Sequence, residues 1–203
     1  GKLAETDWAK IGKAIGRLEV PLFLDDNPRV TVMEIRAKAR RIKARYGGIG
    51  LIVIDYLQLM GGNSAAENRQ LEVSEISRNL KILARELEVP VVAISQLSRA
   101  PEQRHPPKPQ LSDLRESGQL EQDADLVAFL FREDYYRDPD DEPDGLADLI
   151  VAKHRNGPIG TRKLVFLDRF PKFADFAGQE QPIEQPAGEG PPLEDTAVAG
   201  PEF

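Results

Sequence analysis

The segment Ile49-Gly50-Leu51-Ile52-Val53-Ile54-Asp55 decides the fold. Consecutive branched apolar residues, entered through glycine and closed by a carboxylate, describe a strand buried on both faces, as in a parallel sheet. A second run of this kind is Val89-Pro90-Val91-Val92-Ala93-Ile94-Ser95-Gln96. Between the two lies a loop containing Gly61-Gly62-Asn63-Ser64, then the helical stripe Val73, Ile76, Leu80, Leu83 and Leu87. Upstream, Val32, Ile35, Ala39, Ile42 and Tyr46 recur at three- and four-residue steps. Thr31 and Glu34 form a capping box ahead of that stripe, and Gly47-Gly48 closes it. Farther back, the apolar run Val20-Pro21-Leu22-Phe23-Leu24 stops at Asp25-Asp26-Asn27-Pro28, a turn sequence. Strand, helix, strand, helix, strand predicts right-handed crossovers in a mainly parallel sheet, an α/β fold. Residues 126–131, 149–152 and 164–167 supply further apolar runs and predict a C-terminal β-hairpin addition. The stretches 97–110 and 137–145, rich in Pro and charge, read as loops.

Composition bounds the function classes. The chain has 203 residues, 40% hydrophobic and 30% charged, enough apolar material for one core. No run of eighteen apolar residues occurs, which excludes a membrane-spanning helix. Without Cys there are no disulfides, iron–sulfur clusters or thiolate zinc sites in the chain, as fits a reducing compartment. The two His residues, His105 and His154, leave little room for a histidine-rich metal site. Of the net charge of −7, six units sit in residues 177–203, which hold five Pro and no Lys or Arg. That acidic tail is expected to be disordered, and residues 1–176 form the folded unit. The body is nearly neutral, so local basic patches decide whether it binds nucleic acid. The N-terminus has neither a signal-peptide core nor an initiator Met, so the chain is expected to begin inside a longer protein.

Four features carry candidate chemistry. Ligands of open α/β sheets sit at the carboxyl ends of strands, where Asp55 and Gln96 stand. Four apolar residues followed by Asp is the Walker B pattern, whose carboxylate holds magnesium; a strand-ending turn or cap is the alternative. Gln96 suits a water-orienting or γ-phosphate-sensing role, or a hydrogen-bonded strand end. Lys153-His154-Arg155-Asn156-Gly157-Pro158 runs off a strand into a turn, with Lys153 and Arg155 on one face, able to grip one phosphate group. A solvated hairpin end has the same pattern. Ser112-Asp113-Leu114-Arg115-Glu116-Ser117-Gly118 can offer amides and a guanidinium to a phosphate chain, or be a capped helix end. The basic residues Arg36, Lys38, Arg40, Arg41, Lys43 and Arg45 form a helix face that is solvated or a nucleic-acid surface.

These motifs stand in a fixed order: Ile54-Asp55-Tyr56-Leu57-Gln58-Leu59-Met60, then Ser95-Gln96-Leu97-Ser98-Arg99, then residues 113–118 with Glu121-Gln122-Asp123-Ala124-Asp125, then residues 153–158. In that order the chain resembles the C-terminal motor domain of the bacterial replicative DNA helicases, the DnaB family, from its first residues to about Phe176. The resemblance implies a RecA-like ATPase forming hexameric rings on single-stranded DNA, with ATP bound between subunits. Asp55 is then the magnesium (Mg2+) carboxylate and Gln96 the link from γ-phosphate to the DNA loops. Lys153 and Arg155 match the pair inserted from a neighbouring subunit, Arg155 being the arginine finger. Arg115, Glu116 and Gly118 match the loop following the DNA backbone. The resemblance further implies a primase and a helicase loader as partners, in a bacterial cytoplasm close to the nucleoid.

The sequence departs from the family in one respect. No G-x-x-x-x-G-K-[ST] loop occurs; Gly1-Lys2 is followed by Leu3. The phosphate cradle, its strand and the catalytic glutamate are therefore expected upstream, the sheet is incomplete, and this chain alone is expected not to hydrolyse ATP. The alternatives are another RecA-like ATPase, a recombinase or clock-type enzyme, and a non-catalytic module that binds single-stranded DNA or docks partners.

Overall fold

The computed structural model describes residues 4–17, 20–27, 29–61, 69–138 and 140–178. Its helices are α1 (Glu5–Arg17), α2 (Val32–Tyr46), α3 (Arg69–Leu87) and α4 (Gly118–Asp123). Its strands are β1 (Ile52–Ile54), β2 (Val91–Ala93), β3 (Leu126–Phe131), β4 (Leu146–His154), β5 (Gly160–Leu167) and β6 (Lys172–Asp175). Most of the expected tail, and much of the expected loop at Gly61-Gly62-Asn63-Ser64, lie outside the described residues.

Local chemistry sets the helix ends as the sequence predicts. The Thr31 hydroxyl accepts from the Glu34 amide at 3.3 Å, and the Glu34 carboxylate accepts from the Thr31 amide at 2.8 Å. Gly47, at φ +80°, takes the left-handed conformation that closes α2. The apolar stripes of α2 and α3 then meet the strands. Val32, Ala39, Ile54, Leu57, Met60, Ile76, Leu80, Leu83, Leu87 and Val89 form one buried cluster, with Ile52 and Val91 packed against it. Leu83 is fully enclosed.

Strands β1 and β2 pair in parallel, with Ile52 opposite Val91 and Ile54 opposite Ala93. They are covered on one face only. Val53 and Val92 on the other face are about half exposed, because α2 and α3 share a single cluster on the Ile54 side. The expected strand at Val20–Leu24 is extended but enters no described ladder, and Leu22 and Leu24 stand in solvent.

The α/β class is borne out, and the C-terminal antiparallel addition is larger than expected. The described residues hold one parallel pair and a four-stranded antiparallel sheet ordered β3-β4-β5-β6, larger than a hairpin. The connections explain it: residues 155–159 and 168–171 are too short for a parallel crossover, which needs a dozen or more residues. Strand β6, alternating Lys172-Phe173-Ala174-Asp175, and helix α1, with Trp8, Ile11 and Ile15 at helical spacing, complete the elements.

The antiparallel sheet is braced by charge. Asp148 on β4 is buried, and Lys163 on the facing strand reaches it at 2.6 Å and Lys108 at 3.0 Å. Burial pushes its carboxyl up, but the hydrogen bonds from Lys163 and Lys108 outweigh burial and hold it below the ordinary carboxylate range. Among the described residues no helix is long and apolar enough to cross a membrane.

Candidate functional site

Parallel pairing of β1 and β2 carries both polar strand ends to one side of the sheet. Asp55 follows β1 by one residue and Gln96 follows β2 by three, and both are exposed. The chain continues the ladder past β2, since the Ile94 amide donates to Ile54 O at 2.9 Å and the Leu57 amide to Ile94 O at 2.9 Å. Gln58 then fixes the neighbouring backbone. Its amide oxygen accepts from the Gln96 amide at 3.3 Å, while its Nε2 donates to Gln96 O at 3.3 Å and Ser95 Oγ at 3.1 Å. The Gln96 backbone is thus clamped while no hydrogen bond of the described set takes up its side chain. Sequence reasoning did not single out Gln58; its place four residues beyond the end of β1 gives no periodic signal.

A small cleft opens beside this clamp, lined by Gln58, Ser95, Gln96, Ser98, Asp113 and Leu114. Asp113 and Leu114 belong to a 3-10 helix, Leu111–Ser117, that leads directly into α4. The predicted backbone-binding residues therefore lie on a helical segment, not an open loop: Arg115 and Glu116 within the 3-10 helix, and Gly118 as the first residue of α4. Asp113 holds the segment down. It is buried, receives both Arg104 Nη2 and, at 3.0 Å, Arg104 Nη1, and accepts from the Gln110 amide at 2.7 Å. Bidentate pairing of this kind fixes orientation as well as distance. The Ser98 amide, donating to Asp113 O at 3.2 Å, ties the segment to the stretch after Gln96.

The basic cluster occupies a different edge. Lys153 is the last residue but one of β4, opposite Val127, and Arg155 stands in the turn beyond the strand. Both side chains reach the carboxyl end of α4. Lys153 Nζ donates to Glu121 O and, at 3.4 Å, to Gln122 O; Arg155 Nη2 donates to Gln122 O at 2.6 Å. The Arg155 guanidinium also lies 3.5 Å from Asp125. The two cations therefore share one direction, while the His154 ring turns toward Pro158 O at 3.4 Å. Among the described residues no hydrogen bond or ion pair joins Lys153 or Arg155 to Asp55 or Gln96.

The basic face of α2 is largely spent within the fold. Arg36 and Arg40 both pair with Glu86 of α3, Lys38 pairs with Asp25, and Lys43 donates to Leu87 O at 2.7 Å. No group of three or more His, Cys, Asp or Glu suited to a metal occurs among the described residues. A divalent ion at Asp55 would take its remaining ligands from phosphate and water, the usual arrangement for magnesium.

The comparisons with known proteins bear on the family and the fold. Residues 1–175 match the family model described as DnaB-like helicase C terminal domain. Over 190 residues the chain is 52% identical to the replicative DNA helicase DnaB of Geobacillus stearothermophilus, covering 93% of this chain and 41% of that protein. It is 53% identical over 178 residues to the replicative DNA helicase DnaC of Bacillus subtilis (strain 168), covering 87% of this chain and 39% of that one. The chain thus spans about two fifths of the length of these curated relatives. Among solved structures, one described as an ATPase domain superposes with a TM-score of 0.78 at 45% identity, over 86% of this chain and 62% of that one. A DnaB-like replicative helicase, described with its interactions with primase, gives the same TM-score and identity over 86% of this chain and 42% of that one.

Proposed function

The chain belongs to the DnaB-like helicase C-terminal domain family, and from that premise we propose that it forms part of an ATP-driven replicative helicase motor. The motor is a hexameric ring that moves along single-stranded DNA and unwinds the duplex. One observation carries the reading. Two pairs of polar side chains stand on different edges, Asp55 with Gln96 and Lys153 with Arg155, with no hydrogen bond or ion pair between them, and each pair suits one half of a phosphate site. A head-to-tail ring brings such halves together across each subunit boundary.

In this reading Asp55 holds Mg2+, which supplies charge neutralisation on the phosphate oxygens. Gln96 meets the γ-phosphate with a side chain left free by the clamp on its backbone. Arg155, helped by Lys153, stabilises charge developing on the transferred group of ATP in the adjoining subunit. Arg115, Glu116 and Gly118 follow the DNA backbone. Contacts to phosphate and sugar carry little sequence information, which suits a motor that must pass any sequence. Residues 1–176 are the motor segment, as the match over 1–175 supports, and residues 177–203 are an appended acidic tail. The half-exposed face of β1 and β2 suits helices packed on its second side. Lacking the G-x-x-x-x-G-K-[ST] loop, these 203 residues alone do not hydrolyse ATP. Primase and a helicase loader are the proposed partners, and the bacterial cytoplasm, close to the nucleoid, the proposed location.

Mixing full-length variants tests the shared site. Asp55→Asn and Arg155→Ala should each lower ATPase turnover at least about a thousandfold, the scale of an arginine finger. Rings assembled from both together should recover roughly a quarter of wild-type turnover, because a quarter of the head-to-tail boundaries then carry both intact halves. No recovery on mixing would place the whole site within one subunit. Activity retained by Arg155→Ala would remove the finger role. Single-strand affinity with no ATPase in the full-length protein would leave only a binding module.

A further inference from the structure

Helix α4 lies between two of the proposed working parts. Its first residue, Gly118, ends the DNA-following segment, and its last turn supplies the carbonyls that Lys153 and Arg155 hold. Six residues at helical rise span about 9 Å, short enough to move as one rigid piece. Asp123 at its end accepts from Ser77 Oγ of α3 at 2.9 Å and, within the helix itself, from Gln119 Nε2 at 2.8 Å. The carbonyls at its end are those a helix leaves without an internal partner, and here the two cations satisfy them. Beside them stands Asp125, with Lys81 of α3 on one side and Arg155 on the other. The Arg155 amide additionally donates to Asp125 O at 2.9 Å, which anchors the turn while the guanidinium remains free to swing.

We propose that Asp125 and the carboxyl end of α4 form a parking site for Lys153 and Arg155, released when DNA displaces α4. The proposal rests on the finger role argued above. Asp125 is a positioning residue: it acts on turnover only through Arg155. With no DNA bound, the cations stay on their own subunit, and phosphate in the neighbouring site competes with Asp125 and the α4 carbonyls for them. When the segment ending at Gly118 engages a phosphate backbone, α4 shifts, its carbonyls withdraw, and the finger is freed for the neighbour. Leaving the carbonyls is cheap, because this edge is open to water and the exposed Asp125 keeps Lys81 as a partner. Lys81 also keeps Asp125 ionised, since its hydrogen bond lowers the Asp125 carboxyl below the ordinary range against the opposing pull of burial.

The test is the ATPase rate of the full-length protein with and without a saturating single-stranded oligothymidylate. The ratio of the two rates is unaffected by any inactive fraction of protein. Asp125→Asn should raise the DNA-free rate about two- to fivefold, the range of an exposed ion pair, and lower the ratio by the same factor with the DNA-saturated rate unchanged. Lys81→Gln breaks the same Lys81–Asp125 pair but leaves Asp125 wholly to Arg155, so the ratio should rise instead. A structural role alone would move both variants the same way. An unchanged or increased ratio in Asp125→Asn overturns the proposal, as does a wild-type rate indifferent to DNA. Should Asp125→Asn fail to fold, Lys81→Gln decides: a higher ratio supports parking and any other result overturns it. Arg155→Ala separates the two levels, because ATPase surviving in that variant overturns the finger role itself, whatever Asp125 does.

Discussion

The layer of β1, β2, α2 and α3 and the antiparallel sheet β3–β6 are held by different forces. The first packs ten buried residues into one apolar cluster. The second buries few apolar side chains, Phe129, Phe131 and Ala147, and relies on its ladder, on Asp148 between two lysines, and on Arg132, whose guanidinium lies 3.9 Å over the Phe166 ring. Apolar packing is non-directional and tolerates no vacancy, whereas ion pairs are directional and can be remade. The contrast fits the proposed roles. Gln96 extends from the packed layer on a clamped backbone; Lys153 and Arg155 extend from the sheet and, in the proposed cycle, trade partners.

Substitutions can break or sharpen this contrast. The largest expected effect is Leu83→Ala, which opens a cavity in the packed layer and should cost about 3–5 kcal/mol by urea denaturation. Asp148→Asn keeps the shape of the buried group in the sheet and removes its charge, at a cost of about 1–3 kcal/mol near neutral pH. If the two matched, the division of forces would be wrong. Its pH dependence sharpens the point. The Asp148 carboxyl is held below its ordinary range when folded, so its stabilisation is complete above the unfolded carboxylate value and lost as pH falls through the folded one. Melting curves should show the gap between wild type and Asp148→Asn closing below about pH 4. Thr31→Ala, which removes the cap of α2, should cost about 1 kcal/mol in the same denaturation experiment. Lys38→Ala should leave the denaturation midpoint essentially unchanged, because its pair with Asp25 is exposed on both sides.

The sequence was most legible where periodicity and capping act locally. Thr31, Glu34 and Gly47 bound α2 where their chemistry requires, and the stripe from Val73 to Leu87 is the buried face of α3. The strands Val91–Ala93 and Ile52–Ile54 lie inside the apolar runs that announced them, and the parallel pairing puts Asp55 and Gln96 beyond the same end of the strands. What needs two distant segments was not legible. Gln58 bonding Gln96, Arg104 fastening Asp113, and the α4 carbonyls receiving Lys153 and Arg155 all span loops whose course no local pattern records. The sheet balance escaped for a related reason: an apolar run shows burial, while the length of the connection sets direction. The basic face of α2 looked available because Glu86 and Leu87, which occupy it, are some forty residues away.

The grip of Gln58 on Gln96 has a kinetic consequence. Because the Gln96 peptide is already tied at both its amide and its carbonyl, reorienting the exposed side chain requires rotation about side-chain bonds alone. Such rotamer flips take picoseconds to nanoseconds, whereas loop rearrangements take nanoseconds to microseconds. A side chain mounted this way equilibrates with its surroundings long before any neighbouring element has moved, so in the proposed sensing role it would follow occupancy without setting the pace of a cycle.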